Sequence, residues 1–386
     1  MKMKTNLLNH FCILFLFVVH PSNTFADPTL LWKMKFDSPI VKTSDLKEWE
    51  IGKVKAPDFP LKTVMAEKSI FILDNQGKVK NKYSLKGYSK TAMADNGMYF
   101  AGLKDGCFDI FTHQNEIIST ITITNHHPVL LPQHIYFKLS PDGEYIVIVS
   151  WFAKSIYFYN TEGQLLSKYD TQGLKEATIR FSKDSNYVGV HVPNFDKKDS
   201  RGYLLYFKCN GELLWKFDHS EKIASFDVST YGNKVAIAST SACHFLNSSG
   251  ETLYRLDVKE KIPFLLKFAH NESQLFIFDK IKKSIICFDL FTKRNAWLKI
   301  IENFCFQTSQ TCKLFIGKTG AIIFLHDLVL PDKRENINYL FLLNNSGNIL
   351  WKKTNKSLNV NCRLFEMDNY LLIISDYYIS LYNVRL

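Results

Sequence analysis

The chain has 386 residues, of which 46% are hydrophobic, 22% charged and 14% aromatic, with 31 Phe, 18 Tyr and 6 Trp. That balance excludes disorder and collagen-like structure for the whole, and the Phe, Tyr, Ile and Val content favours strands. The formal charge of +11 is spread as scattered lysines, with short pairs at 197–198, 282–283 and 352–353, so no dense basic arm for nucleic acid is present.

Lys2 and Lys4 precede an unbroken apolar run from Phe11 to Val19, and Thr24 and Ala26 are small residues just ahead of Asp27. This is the pattern of a secretory signal peptide over residues 1–26, cleaved after Ala26. The run falls short of the roughly 20 residues a membrane helix needs. Cys12 lies near the start of the run rather than at the cleavage point, so a lipid anchor does not fit. The mature chain, 27–386, is expected in a periplasm or outside the cell, without a transmembrane segment. Loss of Lys2 and Lys4 leaves it a charge of +9. A mild affinity for anionic envelope surfaces is compatible with that charge.

Beyond Cys12 the cysteines are Cys107, Cys209, Cys243, Cys287, Cys305, Cys312 and Cys362. Their odd number argues against complete pairing. Cys209, Cys243 and Cys287 sit in apolar strand-like runs, where thiols act as small hydrophobes. Cys305 and Cys312 are close in sequence and form the candidate disulfide of an exported chain.

One phrase recurs along the chain: an apolar strand, a turn rich in Asn and Gly, then a second strand. It appears at 70–85, 108–123, 156–170, 204–218, 243–257, 285–299 and 340–353. The Asn and Gly supply the positive φ of tight hairpins, and the flanks carry strand-type residues. Aligned on the turn, one column holds Asn81, Ser119, Ser167, Trp215, Tyr254, Trp297 and Trp351. Trp32, in PTLLWKMKF, has the second strand of such a hairpin and no first. The C-terminal YYISLYNVRL has a first strand and no second. The two halves complete each other, so 28–36 is expected to pair with 378–384. A ring closed in this way removes the edge strands of an open sheet and leaves only short, protected outer edges. Residues 27–386 divide by eight into units of about 45, the size of a four-stranded blade.

A second phrase, two apolar strands around a polar turn, lies at 137–150, 179–192, 226–239 and 266–279, and more loosely at 90–102 and 364–375. Residues 37–66 hold Trp49, Pro57 and Pro60 and lack such a turn, which leaves seven blades as the alternative to eight. The expected fold is all-β: one β-propeller over 27–386.

The words SPDGEYIVI (140–148), GELLWKF (211–217) and GNILWKK (347–353) carry a family resemblance. The first resembles WD40-like repeats and the others the strand phrase of quinoprotein-like (PQQ-type) propellers. In the latter, the Trp packs between neighbouring blades. The resemblance implies that role for Trp32, Trp215, Tyr254, Trp297 and Trp351. It covers nearly all of 27–386 and speaks for fold, hardly for activity.

Three stretches carry candidate site residues. NHHPVLLPQH holds His126, His127 and His134. A metal needs converging imidazoles, and adjacent extended residues point apart, so a polar loop is the simpler expectation. The loop 192–202 lacks the alternating oxygens of a calcium site. The stretch 326–336 reads as an insertion of similar kind, and both are long enough to be partner-contacting loops. No nucleophile elbow, zinc-protease, Walker or dinucleotide motif occurs. The expected function is a non-enzymatic, cofactor-free, monomeric binding or scaffold module for protein or cell-envelope partners. The alternative is a propeller enzyme, either a quinone-dependent dehydrogenase or a metal-dependent lactonase.

Overall fold

The structure is a computed structural model. It describes residues 29–35, 40–43, 63–74, 78–123, 134–171, 176–193, 202–218, 222–257, 264–279, 282–301, 312–317, 320, 322–330, 335–355, 360–365, 370–375 and 378–384. The signal-peptide segment, His126, His127 and Cys305 lie outside these residues.

Every regular element of the described residues is a strand apart from a single 3₁₀ position at His134. They form eight four-stranded antiparallel sheets. The first sheet joins β1 (Thr29–Lys35) to β30 (Val360–Phe365), β31 (Tyr370–Ser375) and β32 (Tyr378–Asn383). The second holds β2 (Ile40–Thr43), β3 (Thr63–Ala66), β4 (Ser69–Leu73) and β5 (Val79–Ser84). The third holds β6 (Lys90–Met93), β7 (Tyr99–Lys104), β8 (Cys107–Thr112) and β9 (Ile117–Thr122). The fourth holds β10 (Ile135–Leu139), β11 (Tyr145–Ser150), β12 (Ser155–Asn160) and β13 (Leu165–Asp170). The fifth holds β14 (Thr178–Phe181), β15 (Tyr187–Val192), β16 (Tyr203–Lys208) and β17 (Leu213–Asp218). The sixth holds β18 (Ile223–Val228), β19 (Lys234–Ser239), β20 (Ala242–Asn247) and β21 (Thr252–Asp257). The seventh holds β22 (Phe264–Phe268), β23 (Gln274–Asp279), β24 (Ser284–Asp289) and β25 (Arg294–Ile300). The eighth holds β26 (Cys312–Ile316), β27 (Ile322–Leu330), β28 (Glu335–Leu343) and β29 (Ile349–Asn355).

The leading strands β6, β10, β14, β18, β22, β26 and β30 stand side by side in that order, the arrangement of a β-propeller. The residue pattern follows from it. Strand β11 is apolar from Ile146 to Val149 because both its faces are covered: Ile146 and Ile148 pack in one cluster with Phe108 of the third sheet, while Val147 and Val149 pack in another with Val188 and Val190 of the fifth. Each such side chain contributes roughly 1.5–3 kcal/mol by burial. The outer strands alternate instead, because they have one wet face. Tyr169 of β13 is half-buried between the exposed Lys168 and Asp170. Apolar packing continues between the eighth and first sheets, where Leu342 and Ile323 meet Leu371, Ile373 and Tyr382.

The turns joining β6 to β7, β10 to β11 and their counterparts are stitched across sheets at one end of the molecule. Asn96 donates its amide to the Pro141 carbonyl (3.0 Å), and Asp184 donates to that of Thr230 (3.2 Å). The Asp142 amide donates to Ser185 Oγ (3.0 Å), and the Tyr231 amide to Glu272 Oε1 (2.8 Å). The opposite end is where the chain enters each leading strand.

Two expectations need correction or filling in. The stretch 326–336 is not an open loop. Strands β27 and β28 stay in register from Ile322↔Leu343 to Leu330↔Glu335, so only 331–334 lie between them. Leu328, Val329 and Ile337 favour strand and carry the ladder past Cys312↔His326, where β26 stops. In 37–66 the missing turn phrase does not prevent pairing: Ile40 faces Ala66 and Thr43 faces Val64.

Candidate functional site

At the entry end a cleft of about 660 Å³ opens where β6, β10 and β14 begin. Its lining comes from Tyr88 to Thr91, Ile135 to Lys138, Ala177 to Ile179, and Glu67 between β3 and β4. That volume lies in the range of small-ligand sites.

Tyr88 is fixed from behind. Its hydroxyl donates to Asp109 Oδ2 (2.9 Å), and Thr120 Oγ1 donates to Asp109 Oδ1 (2.8 Å). Its ring lies where a side chain on Gly102 would stand, a Cβ there coming within 2.4 Å of Cδ1. Burial, then the hydrogen bond and charge of Asp109, push the phenol up to about 12, so it stays protonated. Ser89 is tied to the Leu103 carbonyl through its amide (2.8 Å) and its hydroxyl (3.0 Å). Lys90 Nζ donates to the Ile135 carbonyl (2.8 Å) and sits 5.1 Å from the Tyr136 ring centre. Burial lowers the pKa of Lys90. Tyr136 is raised by burial and then by the charge of Glu176. Lys138 Nζ lies 5.8 Å from the Phe181 ring.

His134 stands at the edge of this cleft, just before Ile135. Its ring meets Trp151 edge-on at 4.1 Å and Phe152 at 4.9 Å, and those two rings stack at 5.6 Å. Phe152 is 41% exposed. Among the described residues no group of three or more His, Cys, Asp or Glu side chains converges.

The aromatic column lies far from the cleft, on the outer strands. Trp215 Nε1 donates to the Ser248 carbonyl (3.0 Å) and Trp297 Nε1 to that of Asn345 (2.7 Å). Ser119 Oγ, in the same column, donates to the Thr161 carbonyl (2.7 Å). Each acceptor is the second residue of the neighbouring sheet's outer turn. Tyr254 stacks on Phe288 at 5.6 Å under Lys293 Nζ. Trp351 lies 5.9 Å from Tyr382. Trp32 is opposite Leu381 in the β1–β32 ladder.

Cys209, Cys243 and Cys287 are buried, and burial raises all three thiols, Cys243 and Cys287 to about 12. They are unreactive as nucleophiles. The candidate pair of Cys305 and Cys312 lies partly outside the described residues.

His191, on β15 opposite Thr178 of β14, has its Nε2 buried without a hydrogen-bond partner. Its ring meets Phe226 edge-on at 6.3 Å. Burial, then the charge of Lys222, hold this imidazole down to about 4. An unfolded chain protonates His191 near 6.5, so stability is full above that value and falls as the pH drops from 6.5 toward 4. The window is worth about 2–3 kcal/mol. Denaturant midpoints at pH 7.5 and pH 4.5 are expected to converge by that amount in His191→Leu. An unchanged acid loss in the variant contradicts the assignment.

Lys90, Thr91, Phe137, Lys138 and Ile179 stand at the starts of the repeated two-strand phrase, while the other cleft residues carry no motif. The usable signal is their offset from the repeated turn phrase, which fixes where each leading strand begins.

No family model matches the chain, and no curated protein matches it in sequence. Its fold recurs among solved structures, of which three illustrate the likeness. The chain is similar to Hsv2 of Kluyvelomyces marxianus, at 13% identity and TM-score 0.50, over 82% of this chain and 98% of that one. A KlHsv2 in which loop 6CD is replaced by a Gly-Ser linker gives 13% identity and TM-score 0.51, over 83% and 98%. A eukaryotic initiation factor gives 11% identity and TM-score 0.56, over 91% and 87%. At such identities the likeness shows a β-propeller and nothing finer.

Proposed function

We propose that this chain is an exported, non-enzymatic β-propeller that binds a protein or cell-envelope partner at the end carrying the cleft. The observation that carries the reading is the cleft itself. It is walled by the starts of three consecutive leading strands and bordered by the Trp151–Phe152 pair, a rigid aromatic surface of the kind that anchors partners. No helix of the described residues is long and apolar enough to cross a membrane. The signal-peptide pattern of residues 1–26 supports export to a periplasm or the outside.

On this reading the disc has eight blades, and the pairing of β1 with β32 closes it. Eight four-stranded sheets and the Thr29↔Asn383 to Lys35↔Tyr378 ladder support that count and closure. The aromatic column then serves as a blade-to-blade latch, a role supported by the repeated side-chain bonds to neighbouring turns.

A photo-crosslinking residue placed at Thr178, exposed at the cleft, is expected to give an adduct in cells. The same residue at Glu162, in an outer turn at the other end, is expected to give none. Adducts from Glu162 alone, or none from either, overturn the reading. A reporter active only after export, fused behind residues 1–26, is expected to be active; an inactive fusion refutes export.

A further inference from the structure

Lys90 is an ammonium with an incomplete environment. It has three donors, and its interactions are one carbonyl and one ring face. Among the described residues no carboxylate lies within ion-pairing distance of it. Elsewhere in the ring the corresponding problem is solved internally: Lys267 of β22 pairs with Asp227 of β18 at 2.9 Å, and Asp227 is buried. Removing a cation from water without a counter-charge is unfavourable. Here a partly buried cation, with no carboxylate partner among the described residues, borders a cleft of ligand size with donors to spare.

The walls beside it are apolar or aromatic: Tyr88, Tyr136, Ile135 and Ile179. Lys138 adds a second positive charge to the lining and Glu67 one negative charge, and the net single positive charge favours a ligand with one negative charge over one with two. We propose that the cleft binds a small organic monoanion of the aryl-carboxylate class. Its carboxylate pairs with Lys90 Nζ, and its ring lies against Tyr88 and Tyr136. This inference rests on reading the entry end as the binding end.

The test is calorimetric titration of the full mature chain with phenylacetate, with neutral 2-phenylethanol and with dianionic phenylphosphonate, all at low salt. Phenylacetate is expected to bind at least tenfold tighter than either of the others. Lys90→Met, which keeps the apolar stem, is expected to erase the gap between acid and alcohol. Lys90→Arg is expected to retain it. Circular dichroism reports whether each variant is folded.

A second measurement needs no variant: reductive methylation of the wild-type chain, read by peptide mass spectrometry. Phenylacetate is expected to slow labelling of Lys90 several-fold while phenylethanol does not. Equal affinities for acid and alcohol, a gap that survives Lys90→Met, or unprotected Lys90 overturns the proposal. If Thr178 crosslinks a partner while phenylacetate fails to bind, only this inference falls. If phenylacetate binds through Lys90 and no crosslink forms, the macromolecular reading falls and the anion site stands.

Discussion

Replacing Gly232 by alanine is expected to destabilise the fold by about 3–4 kcal/mol, one of the largest effects of any single methyl group in the chain. Two costs combine. Gly232 has φ +67°, a conformation that costs a residue with a Cβ roughly 1–2 kcal/mol. The new Cβ would also stand 2.1 Å from Cδ2 of Tyr187, and forcing a packed ring aside costs about 1–3 kcal/mol. Tyr187 has little room to yield. It stacks at 5.7 Å on Tyr206, which is fully buried, stacks on Trp215 at 4.8 Å and donates its hydroxyl to the Gly232 carbonyl. Tyr187→Ala removes the clash, so the double variant should be less destabilised than the sum of the single ones. Urea midpoints of the four proteins measure this. A loss under about 1 kcal/mol for Gly232→Ala, or strict additivity, contradicts the packing described.

Deleting residues 27–36 should lower the melting temperature by about 10 °C. The ladder between β1 and β32 runs from Thr29↔Asn383 to Lys35↔Tyr378. At roughly 0.5–1.5 kcal/mol per hydrogen bond, its loss removes about 5 kcal/mol, and each kcal/mol moves Tm by roughly 2 °C in a chain of this size. The Lys33 ammonium, 4.1 Å from the Tyr378 ring, goes with it. Calorimetry showing a shift of only a degree or two would mean that β1 adds little to the first sheet.

Much of the architecture was legible because the repeat is written in physics that a sequence records directly. Second strands buried on both faces read as nearly continuous apolar runs, and the turns before them need residues that tolerate positive φ. The signal weakens where another residue takes the Gly place. Ser185 (φ +62°) and Glu272 (φ +55°) occupy the turn position held by Gly143 and Gly232, and they adopt its conformation because neighbouring sheets hold them there. The extended β27–β28 hairpin was misread as a loop because Pro331, Asp332, Lys333 and Arg334 dominate its composition, although the residues before and after them pair. The cleft was legible only as the starts of the leading strands. Glu67, Lys90, Tyr136 and Thr178 are ordinary residues spread over the second to fifth repeats, and only the ring brings them together. His134 was expected in a polar loop, with a metal site as the lesser reading, and its ring stands in an aromatic cluster with Trp151 and Phe152.

The proposed closure of the ring is tested most directly by a disulfide between its two ends. Lys33 and Ser380 are Cα partners in the β1–β32 ladder, and antiparallel partners stand within the span a disulfide bridges. In the Lys33→Cys, Ser380→Cys variant, oxidation is expected to link the two cysteines without loss of fold. The link should raise stability by up to about 6 kcal/mol, because it closes a loop of nearly the whole chain in the unfolded state. Two thiols that stay free and reactive in the folded, oxidised protein would contradict the pairing of the first strand with the last.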